Sequence, residues 1–166
     1  FSGPNPFFGV KIYPCLGYDP SDYRLWPIYE LCEKYSIPVL SHHGGDRIAV
    51  HFKRREDKEY EYFKGDQLDI LYPKNRKDLS VMLNDPARWR LVLEKFPKLK
   101  LNIAHFGGDA AWSEIPPKKQ HERTGRNQKR KETILQLMRD FPHVYADFSY
   151  NIVEPEQTQR LKTLLL

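Results

Sequence analysis

The chain has 166 residues, a length that favours one domain with a hydrophobic core of its own. It carries 27 Lys and Arg residues against 22 Asp and Glu residues, for a formal net charge of +5. No window approaches the roughly 20 apolar residues that span a bilayer, and no secretory signal opens the chain. These features exclude a membrane-spanning segment from the sequence and favour a soluble, cytoplasmic protein without a membrane partner.

The first residue is Phe1, and the only methionines, Met82 and Met138, are internal, so we interpret the sequence as a fragment of a longer protein. Cys15 and Cys32 are isolated thiols without a CxxC motif, in segments typical of a core. We therefore expect both to be reduced, as in a cytoplasmic protein.

Four apolar runs rich in β-branched or aromatic residues are each followed by a helical pattern. The runs are residues 7–13, 37–41, 101–105 and 144–148. Consecutive parallel strands need a crossover, which is normally a helix, so this alternation predicts an α/β fold with a parallel sheet. In such sheets the functional residues lie at the carboxyl ends of the strands.

Three helices are predicted from apolar residues at helical spacing after the first three runs. In the first helix, Pro27 fits the opening turn, and the apolar face comprises Ile28, Leu31, Cys32 and Tyr35. In the second, Asn84 or Asp85 caps a helix whose buried stripe comprises Trp89, Val92, Leu93 and Phe96. The third carries Ile134, Leu137, Met138 and Phe141.

Two of the four strand ends carry a histidine followed by Gly-Gly, in "PVLSHHGG" and "LNIAHFGG". If the two strands are neighbours, His42 and His105 lie about 5 Å apart. Two convergent imidazoles suit a divalent metal, particularly zinc, and a metal-bound water is a usable nucleophile near neutral pH. The alternative for each histidine is a hydrogen-bonded core or rim residue. Strand alternation turns His43 away from His42, where it could support the ligands.

The segments "GVKIYP", "IYELCEKYSIPVLSHHGG", "FPKLKLNIAHFGG" and "FPHVYADFSY" together resemble the amidohydrolase superfamily. The resemblance is to the amidohydrolase-2 type of metal-dependent hydrolases, the branch that includes aminocarboxymuconate-semialdehyde decarboxylase. It runs from residue 8 to about residue 165 and implies a distorted (β/α)8 TIM barrel, whose strands four to seven match the four runs.

The resemblance also implies roles for individual residues. His42 corresponds to the metal-binding histidine of family strand five, and His105 to the strand-six histidine, which binds a second metal or serves in acid/base catalysis. Lys11 stands at the strand-four lysine, for which we favour a structural or substrate-contacting amine over a carboxylated bridge. Lys11 and His43 are our candidates for contact with the substrate.

Two parts of the family pattern are missing from these 166 residues. No H-x-H pair is present, and no strand-eight aspartate follows. Asp147 lies on the run that matches family strand seven, and we expect it to make a capping or loop hydrogen bond. A barrel of this kind needs about 250 residues. We therefore interpret residues 1–166 as the central to C-terminal part of one barrel, inactive alone and associating with further copies through unpaired strand edges.

Two long loops are predicted on the catalytic side. Residues 45–83 form a lid insertion in which Ile48, Val50 and Phe52, then Tyr60 and Tyr62, suggest a hairpin. Residues 109–131 form a basic loop, since the tract 118–132 holds seven Lys or Arg residues against two Glu. The tract is interpreted as a solvated loop or a grip on an anionic, carboxylate-bearing substrate; without aromatic residues it does not favour nucleic acid.

The leading hypothesis is a metal-dependent hydrolase in which metal-activated water attacks a carbonyl carbon of a small-molecule substrate. His42 holds the metal, and His105 polarises the carbonyl or carries a proton. A non-oxidative decarboxylase on the same scaffold is the closest alternative. A non-catalytic module that binds an anionic partner through the basic loop is the alternative of another class.

Overall fold

The structure is a computed structural model that describes residues 8–43, 59–108, 121–149 and 159, without the side chains of 76–77 and 121–128. Its strands, in chain order, are β1 Val10–Ile12, β2 Val39–Ser41, β3 Tyr60–Lys64, β4 Gln67–Leu71, β5 Leu101–Ile103 and β6 Val144–Ala146. Its helices are α1 Trp26–Lys34, α2 Arg76–Leu83, α3 Trp89–Lys95 and α4 His121–Asp140. Among these helices, none is both long and apolar enough to cross a membrane.

Four strands form one parallel sheet in the order β1-β2-β5-β6. The register aligns Ile12 with Ser41, Ser41 with Ile103, and Ile103 with Ala146. The four carboxyl ends are therefore level at one edge. Parallel strands that alternate with helices in this order confirm the predicted α/β class and correspond to part of a (β/α)8 barrel.

The helices cover one face of this sheet. Side chains from alternate positions of the strands, including Val39, Leu101 and Ile103 at 0% exposure, pack with residues of α1, α3 and α4 in a single cluster. The opposite face carries a row of residues in register: Lys11, Leu40, Asn102 and Tyr145. Lys11 and Tyr145 are exposed, and Leu40 and Asn102 are half-buried, so within the described residues the apolar core of this sheet lies on its helix side.

The predicted buried face of α1 is wrong for three of its four residues. Cys32 is buried, but Ile28, Leu31 and Tyr35 are 40%, 45% and 59% exposed. Tyr29 takes the inner position: its hydroxyl donates to the carbonyl of Pro20 at 2.8 Å, and its ring lies among apolar side chains. A tyrosine can be buried in a core when its hydroxyl is hydrogen-bonded. A prediction from apolar residues alone therefore assigned the wrong buried face to α1.

The second predicted helix is α3, and its buried stripe is confirmed. Trp89, Val92 and Leu93 are fully buried, and Phe96 is 7% exposed. A 3-10 turn, Pro86–Arg88, precedes the helix, and the side chain of Asp85 accepts a hydrogen bond from the N–H of Ala87.

The third predicted helix is α4, and it begins earlier than expected. Ile134 and Leu137 are fully buried, while Met138 and Phe141 are partly buried against the same core. The described part of the helix is His121–Asp140, so the prediction of a loop is wrong for residues 121–131. The guanidinium of Arg130 is covered and donates to the carbonyl of Val81 at 3.1 Å; this part of the basic tract is helical rather than a solvated flap.

A hairpin is formed by β3 and β4, and the predicted pairing of residues 48–52 with Tyr60 and Tyr62 stays a prediction. Tyr60 and Tyr62 lie in β3, whereas residues 48–52 lie outside the described part. The turn uses Gly65 at φ 64°, a conformation that favours glycine. Its N–H donates to Ser21 Oγ at 3.1 Å, and its carbonyl accepts from the N–H of Tyr23 at 2.9 Å. The hairpin thus docks on the loop that follows β1, on the carboxyl side of the sheet.

Cys15 and Cys32 are both free thiols and are each 1% exposed, as predicted. Burial raises the pKa of both thiols. They are therefore inert core side chains rather than reactive groups.

Candidate active site at the carboxyl end of the sheet

The carboxyl ends of β1, β2, β5 and β6 gather the polar residues that the sequence singled out. His42 continues β2 and donates its N–H to the carbonyl of Ile12 at 2.9 Å. Asp147 follows β6 and donates its N–H to the carbonyl of Ile103 at 3.3 Å. These bonds place the ends of neighbouring strands side by side, which is where α/β proteins carry their sites.

The rings of His42 and His105 converge at this edge. Nδ1 of His42 lies 3.2 Å from Nε2 of His105, and the ring centroids are 4.9 Å apart at an interplanar angle of 77°. Residues far apart in the sequence are thus brought into direct contact because β2 and β5 are neighbours.

The spacing of these nitrogens fits two ligands of one metal ion. Zinc–nitrogen bonds of about 2.0–2.1 Å at a tetrahedral angle put the two nitrogens about 3.3 Å apart, close to the 3.2 Å between His42 and His105. Within the described ranges, however, no group of three or more His, Cys, Asp or Glu side chains could hold a metal. The pair therefore suits part of a metal site and needs further ligands.

His105 sits in an unusual backbone conformation. Its φ is 64°, Phe106 has a φ of 38°, and Gly107 and Gly108 both have a φ of 84°. Left-handed backbone costs of order 1 kcal/mol for a residue other than glycine, and two glycines let the chain continue the turn. The backbone N–H of His105 donates to Asp147 Oδ1 at 3.1 Å, which holds the turned segment against β6. Gly44 and Gly45 lie outside the described residues.

Asp147 makes loop hydrogen bonds, as the sequence suggested. Its carboxylate accepts from Nδ2 of Asn102 at 2.9 Å and from the N–H of Ser149 at 3.0 Å, besides the bond from His105. Burial raises the pKa of this carboxyl, but the hydrogen bonds from Ser149, His105 and Asn102 outweigh it and leave the pKa below the ordinary value. Asp147 is therefore ionised at neutral pH.

The sequence reasoning missed Tyr13 as a site residue. Its ring stacks on that of His42, with centroids 4.7 Å apart and an interplanar angle of 16°. Tyr13 lies two positions after Lys11 in "GVKIYP", so the period of a strand places both on one side; that spacing was the available signal.

Lys11 reaches the same region from β1. Its Nζ lies 5.1 Å from the centroid of the Tyr13 ring, a cation–π arrangement. Burial lowers the pKa of this amine, and the negative charge of Asp147 opposes the shift. An amine in this position is available to an anionic group of a substrate.

His43 points away from this cluster and into the core. It is 0% exposed; Nδ1 donates to the carbonyl of Asn84 at 3.0 Å, and Nε2 lies 2.9 Å from Ser41 Oγ and 3.1 Å from Nε1 of Trp89. Burial lowers the pKa of His43 to about 3, so the ring is neutral. The structure brings together His42, His105 and Lys11, while the ring of His43 lies behind them.

A parallel α/β sheet with paired imidazoles at its carboxyl edge defines the class of protein: an enzyme-like barrel segment with a candidate metal centre. The family model described as Amidohydrolase matches residues 5–160. The chain belongs to this amidohydrolase family, a family of metal-dependent hydrolases. Neither a curated protein nor a solved structure matches the chain significantly.

Proposed function

We propose that this chain contributes the His42–His105 half of the active site of a metal-dependent hydrolase that cleaves a small molecule at a carbonyl carbon. The observation that carries the proposal is the 3.2 Å approach of the two ring nitrogens at the carboxyl edge of the sheet. Membership of the amidohydrolase family supports the same chemistry.

In this proposal His42 and His105 hold a divalent ion, for which imidazole nitrogen favours zinc. When bound, such an ion supplies a water that ionises near neutral pH and a positive charge beside the substrate carbonyl. Neither an H-x-H pair nor the strand-eight aspartate of the family lies in this sequence, so we propose that the parent protein supplies those ligands. The fragment alone is then inactive.

The remaining roles follow from placement around the pair. As the alternative to binding the ion, Nε2 of His105 accepts a proton and, once protonated, polarises the carbonyl or returns the proton, since Nε2 faces the gap between the rings. Lys11 pairs with an anionic group of the substrate, and Tyr13 keeps the ring of His42 in place by stacking. His43 supports the strand end from the core side, and its full burial does not favour the contact with substrate that the sequence suggested.

A decarboxylase is the second candidate function, and Lys11 favours it. Its amine lies beside the candidate site within the field of Asp147, where a substrate carboxylate would find a positive partner. In this reaction His105 protonates the carbon that loses carbon dioxide. Binding of an anionic partner by the basic tract is less supported, because Arg130 is already covered and bound to Val81.

The test uses the purified full-length parent protein. We expect about one equivalent of zinc per chain, loss of bound zinc in His42→Ala, and turnover reduced at least 100-fold in His105→Asn, with His143→Asn as the matched control. Assays of ester and amide hydrolysis beside assays of carbon dioxide release separate the two reactions. A wild-type protein that binds no divalent ion, or a fully active His105→Asn variant, contradicts the proposal.

A further inference from the structure

The hydrogen-bond partners of Nδ1 of His105 define a second feature of this site. Nδ1 of His105 lies 2.9 Å from the backbone carbonyl oxygen of Ser149 and 2.9 Å from its Oγ. The hydroxyl of Ser149 in turn donates to Oδ1 of Asp147. These contacts are separate from the His42–His105 approach, since they lie on the other nitrogen of the ring.

We propose that Ser149 and Asp147 are positioning residues that hold His105 in one tautomer, with its proton on Nδ1 and the lone pair of Nε2 directed at His42. That this tautomer serves metal binding or proton transfer rests on the proposed function. The tautomer itself follows from the hydrogen bonds alone.

The argument begins with Ser149. A backbone carbonyl oxygen only accepts hydrogen bonds, and a serine hydroxyl has a single hydrogen to donate. Because that hydrogen points to the carboxylate of Asp147, both Ser149 oxygens present lone pairs to the ring of His105. A neutral imidazole carries one N–H, and only Nδ1–H satisfies both oxygens. Nε2 is therefore the acceptor, and His42 Nδ1 is the donor across the 3.2 Å contact.

The carboxylate is itself held in place from several sides. Asp147 accepts from Asn102 Nδ2 at 2.9 Å, from the N–H of His105 at 3.1 Å and from the N–H of Ser149 at 3.0 Å. The Asn102 side chain stands on β5, and the other donors come from the turns after β5 and β6. The carboxylate of Asp147 thus fixes both the backbone of His105 and the Ser149 hydroxyl that contacts the His105 ring.

This arrangement prepares His105 for its proposed role. A metal-binding histidine almost always donates its other N–H to a carbonyl or carboxylate, which fixes the ring and raises the basicity of the ligating nitrogen. In this chain Ser149 provides the acceptor for Nδ1–H, so His105 offers Nε2 to an ion without a tautomeric change. His42 is different, because its Nδ1–H must be lost before that nitrogen can bind an ion.

The tautomer can be measured directly by long-range ¹H–¹⁵N NMR of the histidine-labelled chain, at a pH above the ordinary imidazole pKa. We expect wild-type His105 to show a protonated Nδ1 and an unprotonated Nε2. Ser149→Ala removes one of the two acceptors of Nδ1–H, and the double variant Ser149→Ala with Asp147→Ala also removes the hydrogen bonds that hold the turn. We expect the fraction of His105 protonated on Nε2 to rise from the wild type to Ser149→Ala and again to the double variant. Thr133→Ala, which removes a hydroxyl from α4, is the matched control and should leave the His105 signals unchanged.

Zinc titration of the full-length parent protein and of the same variants in it provides the second measurement. We expect zinc affinity to fall about 10- to 100-fold in Ser149→Ala and to be unaltered in Thr133→Ala. A protonated Nε2 in wild-type His105, or a Ser149→Ala variant with wild-type tautomer and zinc affinity, overturns the inference. Wild-type protein with the expected tautomer but no zinc binding supports the positioning role and contradicts the metal-dependent function instead.

Discussion

At the scale of single residues, two adjacent histidines have opposite surroundings. His42 stacks on Tyr13 and meets His105, whereas His43 is fully buried and bonded at both ring nitrogens. Strand alternation explains the division, because successive side chains leave a strand on opposite sides. A buried, neutral imidazole that satisfies a carbonyl and an indole N–H is then a stability element.

We predict that His43→Leu lowers the free energy of unfolding by about 2–4 kcal/mol. The leucine leaves the carbonyl of Asn84 and the hydroxyl of Ser41 buried without the ring of His43, and each such group costs about 1–3 kcal/mol. The Nε1–H of Trp89 keeps Ser41 Oγ as its acceptor at 3.1 Å. Urea unfolding followed by circular dichroism measures the loss. His143→Leu, at a half-buried position outside this network, should change stability by less than about 0.5 kcal/mol; equal effects of the two substitutions would contradict the prediction.

At the scale of elements, Arg88 ties the hairpin and α2 to the loop after β1. Its guanidinium pairs with the fully buried side chain of Asp19 and lies 5.1 Å from the centroid of the Tyr62 ring in β3. Its Nε donates to the carbonyl of Met82 at 2.6 Å, at the C-terminal end of α2. The side chain of Arg88 thus contacts three segments, and its positive charge lies at the C-terminal end of α2, where a cation is favourable.

We predict that Arg88→Met lowers the free energy of unfolding by about 3–5 kcal/mol, because the buried Asp19 carboxylate keeps its hydrogen bonds from Ser21 but loses its cationic partner. Adding Asp19→Asn should recover part of the loss, since the buried charge is then removed. Arg90→Met is the matched control: its pair with Asp140 is 43% and 33% exposed and is worth under about 1 kcal/mol. Chemical denaturation of the wild type and the three variants checks this, and a double variant no more stable than Arg88→Met would contradict it.

At the scale of the whole molecule, the described sheet has two open edges. Among the strands that the structure describes, β1 pairs only with β2, and β6 only with β5. Ile28, Leu31 and Tyr35 form an exposed apolar stripe along α1. Unpaired strand edges and apolar patches favour association.

We predict that the isolated chain associates with itself as its concentration rises, with α1 at the contact. Light scattering coupled to size exclusion should show a mass above that of the monomer. Leu31→Lys should shift the chain towards monomer, whereas Leu91→Lys, at a comparably exposed leucine of α3, should not. A monodisperse monomer at high concentration would contradict self-association.

The apolar runs predicted the strands because a strand buried on the helix side must be apolar whatever its neighbours are. The same reasoning failed at α1, where Tyr29 replaced Ile28 on the inner face through its bond to Pro20. It also failed at α4, where helical residues from 121 onward had been interpreted as loop. At α1 the hydroxyl of Tyr29 bonds to Pro20 in the preceding loop, and at α4 the guanidinium of Arg130 bonds to Val81, far away in the chain. Helical periodicity contains neither contact.

The sequence by itself determined the class of fold, the four parallel strands and the two histidines at strand ends, since these depend on local periodicity and residue type. Only the tertiary structure decided that the His42 and His105 rings meet at 3.2 Å, that Tyr13 stacks on one of them, and that Ser149 sets the hydrogen bonds of the other. The reason is physical: distances between side chains of different strands depend on register and on the turns after each strand, and both are set by packing of the whole sheet.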